Sequence, residues 1–258
     1  MHAGDPLHVL GINAYDHDVS ACLVRDGEPI VAIAKERLTR VKHDGGFYEE
    51  VVDYCLEVAG IGLDRVDRVV VNSYMLPLPE LETRLLQENR PAQLDRRERA
   101  RAERHPLFLA GPPRVTVCSH HAAHAYSAFA VSPFREGAVM VVDGVGSYRR
   151  DVVEGVPEAS ETHPLAREAE SYYRFDGRRL ETIAKAWLEP APGLLSDEFT
   201  AMDGLGALYS RVSTYVFGHW NRCGEVMGLA PYGRLDGEPL ARLEGDRLVD
   251  APWGRERR

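Results

Sequence analysis

Lysine is almost missing: three residues, Lys35, Lys42 and Lys185, in a chain of 258 with 31 cations in all. The skew toward arginine reads as codon usage rather than function. Positive charge is short overall, since 31 − 40 = −9, and this excludes a general binder of nucleic acid or of anionic membrane surfaces. No run of about 18 apolar residues occurs, which excludes a membrane-spanning helix. The N-terminus, MHAGDPLHVLGINAYD, has neither a basic region nor a long apolar one, so no secretory signal is expected and the cytoplasm is the expected location. Cysteine is sparse and scattered. Cys22, Cys55, Cys118 and Cys223 form no CxxC, which excludes a zinc ribbon or a disulfide scaffold and leaves reduced, small apolar residues. What is present is 44% hydrophobic residues, enough for a sizeable core, in a length that suits two lobes of about 130 residues.

The opening segment reads as strands. HVLGIN (8–13), DVSACLVRDG (18–27) and EPIVAIAKER (28–37) alternate and are joined by tight turns, the pattern of an antiparallel meander. GFYEEVVDYCLEVAGI (46–61) has helical spacing, with Gly60 as its stop. RVDRVVVNS (65–73) reads as a buried strand. The mixed-charge stretch 77–113 reads as a solvated helical excursion. RVTVCS (114–119) is a further strand feeding a helix at 119–132, and GAVMVVDGVGS (137–147) repeats the theme of an apolar strand ending in a glycine-rich polar turn. Residues 149–167 read as a loop, 170–188 as a hairpin turning at Asp176–Gly177, and 202–218 and 224–233 as helices. The pattern that starts at residue 8 starts again at 137, which predicts two similar α/β lobes: 1–134, and a second, incomplete one over 135–258. A ligand is expected between such lobes.

Four constellations could carry chemistry. In SHHAAHA, His120 and His124 are four residues apart and share one helix face, so both imidazoles can reach one metal; two half-buried packing histidines would share that spacing. His121 points elsewhere and reads as a hydrogen-bonding or structural residue. In VVDGVGS, a buried strand delivers Asp143 to a turn made flexible by Gly144 and Gly146, where backbone N–H groups can approach a phosphate; Asp-Gly is also a common turn. The first loop, GINAYDHDVSA, gathers Asn13, Asp16, His17, Asp18 and Ser20, as an acyl- or phosphate-binding loop or as an ordinary Asx-type turn. KERLTRVKHDGG gathers Lys35, Arg37, Arg40, Lys42 and His43, either to receive a phosphate or carboxylate or as a solvated loop.

Taken in order, GIN-x₄-DVSACLVRDG, AKERLTRVKHDGGF, SHHAAHAYSAFAVSPF, VVDGVGS and GEVMGLAPYG resemble the O-carbamoyltransferases of nodulation-factor and antibiotic biosynthesis. The motifs run from residue 8 to 233. The resemblance implies an actin/Hsp70-like two-lobed α/β fold, related to the tRNA threonylcarbamoyl transferase. It implies a two-step reaction: a YrdC-like domain joins Mg–ATP to the carbamate of carbamoyl phosphate, and the actin-like domain moves the carbamoyl group from carbamoyl adenylate to a small-molecule hydroxyl. By position, His120, His124 and Asp143 fall where the family binds a divalent metal, usually iron. His17 falls where it contacts the reacting carbamoyl group. Arg40 and Lys42 lie in the loop beside that centre; together with Asp18, Gly144 and Gly146 they are the candidate substrate- and phosphate-binding residues.

The chain departs from the family's pattern in three ways. A further aspartate ligand and the adenine-binding glycines come in the family from sequence beyond residue 258. Glu225 stands where lysine is common. The YrdC-like domain is not in this sequence, so carbamoyl adenylate is expected from such a domain in cis or in trans; this chain is expected to be truncated or part of a split protein, with an incomplete metal site, and to be inactive or incomplete as an enzyme on its own. A non-catalytic nucleotide- or partner-binding module of the same fold is the competing reading. An actin-like kinase fits poorly, because phosphoryl transfer wants a catalytic Asp and Mg²⁺ rather than paired histidines.

Overall fold

Alternating apolar side chains make the strands that begin the fold, and their phase decides which face is buried. The structure is a computed structural model that describes residues 5–13, 18–72, 115–156, 163–164, 166–177, 179–188, 204–234, 241–244 and 247–250. His17 and the 77–113 excursion lie outside the described residues. The chain divides into two units, Met1–Cys118 and Ser119–Arg258.

In the first unit, β1 (His8–Asn13) buries every second residue, Leu10 and Ile12 among them. It pairs antiparallel with β2 (Ser20–Arg25), which pairs antiparallel with β3 (Glu28–Ala34). The β2–β3 turn places Asp26 and Gly27 at φ 53° and 91°, the left-handed pair that a two-residue hairpin turn uses to match strand twist. On the other side of β1, β4 (Arg68–Val71) and then β5 (Val115–Val117) add in parallel, giving the order β3-β2-β1-β4-β5. One face is covered by α2 (Glu49–Ala59), whose Val51, Val52 and Cys55 pack into the core with Leu23, Val69 and Val71. Gly60, at φ 66°, closes that helix by donating to the carbonyls of Glu57 and Leu56. Burial pushes the Cys55 thiol up to about 11, and all four cysteines are free.

The expected strand over 28–37 stops at Ala34. Lys35 opens a short helix, α1 (Lys35–Thr39), because its buried ammonium donates to the carbonyls of Gly45 and Phe47 at 2.9 and 3.1 Å. Those bonds tie the following loop back onto the sheet, which a continuing strand would not reach.

The second unit repeats the theme. β6 (Glu136–Val142), β7 (Arg167–Asp176) and β8 (Arg179–Leu188) form an antiparallel sheet in the order β6-β7-β8, turning at Gly177, φ 60°. Helix α3 (His120–Ala130) packs on it through Ala125 against Val141 and Tyr173. That contact groups α3 with the strands after it, so the division falls before the expected 134/135 boundary. Helices α4 (Leu205–Phe217) and α5 (Cys223–Leu229) follow, then a hairpin of β9 (Ala241–Glu244) and β10 (Arg247–Asp250). The mixed α/β class, with a three-stranded antiparallel meander in each unit, agrees with the actin/Hsp70-like fold that the motifs imply. No described helix is long and apolar enough to cross a membrane.

Candidate metal centre

The i, i+4 spacing puts His120 and His124 on one face of α3, and β6 ends by presenting Asp143 to that face. Asp143 Oδ2 lies 2.7 Å from His120 Nε2 and 3.5 Å from His124 Nε2, and the two Nε2 atoms are 3.1 Å apart. Three donors of the borderline-to-hard type that divalent transition ions prefer thus face one another, separated by roughly the 3 Å expected of ligands about 2.1 Å from one ion. Their side chains are 32%, 53% and 38% exposed, which leaves the cluster open on one side. The donor set fits a divalent metal. Burial alone would raise the Asp143 carboxyl, but hydrogen bonds from His120, His124 and the Gly144 N–H outweigh it and hold the group well below the usual carboxylate range. The bond with Asp143, opposed by burial, raises His124 above an ordinary histidine.

Glycines set the backbone around Asp143. A Cβ on Gly206, in the first turn of α4, would overlap the Asp143 carbonyl and sit 2.7 Å from the Gly144 nitrogen. A Cβ on Gly146 would sit 2.5 Å from Glu168 Oε2 and 2.7 Å from His121 Cδ2. Neither site has room for one. His121 is wholly buried; Nδ1 meets Ser171 Oγ at 2.8 Å, and Nε2 has no hydrogen-bond partner among the described residues. Burial, helped by the nearby His120, pushes it down to about 3, so it is neutral. Its role is structural.

The first-unit candidates form a separate group. Asp18 (φ 56°), Arg40 (φ 63°) and His43 (φ 55°) all take left-handed backbone, and His43 Nδ1 meets Asp18 Oδ1 at 2.9 Å. Glu36 accepts from the His43 N–H at 3.2 Å and from the Lys42 ammonium at 3.1 Å, and these bonds hold its carboxyl below the usual range. Asp18, Glu36 and His43 also bring three donor atoms close together. The expected cluster of cations is therefore largely compensated: Lys35 faces inward, Lys42 and Arg37 both reach Glu36, and Arg40 is exposed at the end of α1.

A family model described as carbamoyltransferase N-terminus matches residues 8–90 and 93–247. The chain belongs to this carbamoyltransferase family. It is 31% identical over 226 residues to the nodulation protein NolNO of Sinorhizobium fredii (strain NBRC 101917 / NGR234), covering 86% of this chain and 28% of that protein. It is 34% identical over 246 residues to the uncharacterized protein sll1178 of a Synechocystis strain, covering 88% of this chain and 35% of that protein. The chain thus spans about a third of the length of these relatives. Solved structures it resembles include YeaZ from Pseudomonas aeruginosa (TM-score 0.36, 12% identity, 73% of this chain and 69% of that one) and a putative N-acetylglucosamine kinase from Porphyromonas gingivalis (0.32, 13%, 87% and 71%).

Two groups around the His120–His124–Asp143 cluster escaped the sequence reading. Ser147 Oγ accepts from the His120 N–H at 2.9 Å. Deeper, Lys185 sits fully buried among Glu168, Glu154 and Tyr173, at 2.8 Å from Glu154 Oε1 and 2.7 Å from the Tyr173 hydroxyl. Burial would lower this lysine, but Glu168 and Glu154 reverse the effect and keep it charged. Burial likewise pushes Tyr173 up to about 12. The signal was Lys185 itself, one of three lysines and the sole charge between Ile183 and Leu188 in an inward phase of β8. Glu225 lies in the first turn of α5 and pairs with Arg222 at 3.7 Å, both about half exposed.

Proposed function

We propose that this chain is the carbamoyl-transfer part of an O-carbamoyltransferase, moving the carbamoyl group of carbamoyl adenylate to a hydroxyl of a sugar or other small molecule. The observation that carries the reading is the convergence of His120 Nε2, His124 Nε2 and Asp143 Oδ2 in a member of this family. These three residues would hold a divalent ion, iron by resemblance, which would supply Lewis-acid chemistry toward phosphate and carbonyl oxygens. The acceptor oxygen forms a bond to the carbamoyl carbon, the bond from that carbon to the adenylate phosphate oxygen breaks, AMP leaves, and the hydroxyl proton is taken up. His17, between β1 and β2 in sequence, is the proposed group that orients the carbamoyl carbonyl or receives that proton. Asp18, Arg40 and Lys42 of the first unit are proposed substrate-binding residues, and the Gly144–Gly146 turn is proposed to let backbone N–H groups approach the phosphate. Carbamoyl adenylate comes from a YrdC-like domain in cis or in trans that uses Mg–ATP.

The test supplies ready-made carbamoyl adenylate and a panel of sugar and aminoglycoside alcohols. The proposal expects AMP and carbamate ester in equal amounts. Tight nucleotide binding with no ester for any acceptor would mark a binding module of the same fold instead.

A further inference from the structure

Two chain segments carry the three converging donors: the first turns of α3 hold His120 and His124, and the turn after β6 holds Asp143. One buried carboxylate joins them. Glu168 Oε2 accepts from the N–H of Ser147 at 2.8 Å and from the N–H of His121 at 3.3 Å, while the backbone of Glu168 pairs with Gly146 and Ser147 at 2.8 and 3.0 Å. A carboxylate at this place satisfies an otherwise orphaned first-turn donor and complements the helix dipole. Its other oxygen is bonded to the Lys185 ammonium, and both side chains are fully buried.

Lys185 extends the tie. Besides Glu168 it binds Glu154 at 2.8 Å, and Glu154 accepts from the hydroxyl of Ser119 at 2.6 Å, one residue before His120. It also reaches Ser171 Oγ at 3.3 Å, the partner of His121 Nδ1. Residues 119, 120 and 121 are therefore each fixed by a different polar group, Glu154, Ser147 and Glu168. Packing of α3 on the sheet through Ala125 would not by itself set the depth or rotation of its first turn to a few tenths of an ångström; directional bonds do.

We infer that Glu168, with Lys185 as its buried counter-ion, is a positioning residue that sets the distance between the His120–His124 face and Asp143 and so tunes the metal centre. The inference rests on the metal reading above. Outer groups that orient ligands in this way typically change metal affinity by about 10–100-fold when altered.

The test is a titration of the whole chain with Co²⁺, reading affinity and the visible d–d spectrum, on wild type, Glu168→Gln and Glu168→Asp. Gln keeps the length and removes the charge; Asp keeps the charge and withdraws the oxygen from Ser147 and His121. The expected result is a single Co²⁺ site in wild type, and in both variants, folded by circular dichroism, a site weakened about 10–100-fold with a changed spectrum. Wild type that binds no Co²⁺ would overturn the metal reading and this inference with it. Wild type that binds, with variants matching it in affinity and spectrum, would overturn the positioning role alone. Should Gln fail to fold, Asp carries the test, and failure of both to fold would make Glu168 a residue of the fold and overturn the inference.

Discussion

His120→Ala is expected to abolish both the proposed metal binding and the proposed carbamoyl transfer. His120 Nε2 is the donor closest to Asp143 Oδ2, at 2.7 Å, and lies 3.1 Å from His124 Nε2, so its removal leaves one imidazole and one carboxylate 3.5 Å apart. Two ligands on an open surface do not retain a divalent ion against water, so the loss of affinity exceeds the roughly 10–100-fold of an outer-group change. Asp143 also loses its strongest hydrogen-bond donor, and its carboxyl moves back toward the ordinary range. The backbone bond from His120 N to Ser147 Oγ survives, since it does not involve the ring, so α3 keeps its seat. Metal content and ester formation, measured on a variant whose melting curve matches wild type, check this. Undiminished transfer with metal still bound would contradict it.

The second large effect is at Gly206. Its Cα lies against the Asp143–Gly144 peptide, and a methyl group there meets backbone rather than the yielding end of a side chain. Either α4 withdraws or the end of β6 shifts, and both move Asp143. Gly206→Ala is expected to cost about 3 kcal/mol or more, a fall of roughly 6–12 °C in the melting of this unit, with weaker metal binding in what remains folded. Gly224→Ala is the control. A Cβ there meets nothing within 4 Å, and alanine in a helix is better than glycine by about 0.5–1 kcal/mol, so a neutral or stabilising change is expected. Equal melting temperatures for the two variants would contradict the close approach at Gly206.

Much of this was visible in the residues, and the reasons differ by element. Strict alternation marks β1 and β2, the Asp26–Gly27 pair marks the β2–β3 turn by taking left-handed backbone at both residues, and Gly177 does so at the β7–β8 turn. The i, i+4 histidines and the Asp at the end of an apolar strand named three donors that the fold brings to one point. The end of β3 was not visible, because the burial of Lys35 depends on carbonyls ten and twelve residues further on. Nor was the Glu168–Lys185 pair. A strand's alternation says that a residue faces inward, but two opposite charges facing inward on neighbouring strands look like solvated residues until the register between β7 and β8 is known. The steric demand at Gly206 is likewise a matter of tertiary approach, with no local sign in MDGLGALY.

The most direct test of the central claim is carbamoyl transfer from carbamoyl adenylate by the protein as purified, after chelator stripping, and after restoration with Fe²⁺. Stripping is expected to abolish ester and AMP formation, and one equivalent of metal per chain is expected to restore both. Full transfer by protein shown to be free of metal would contradict it.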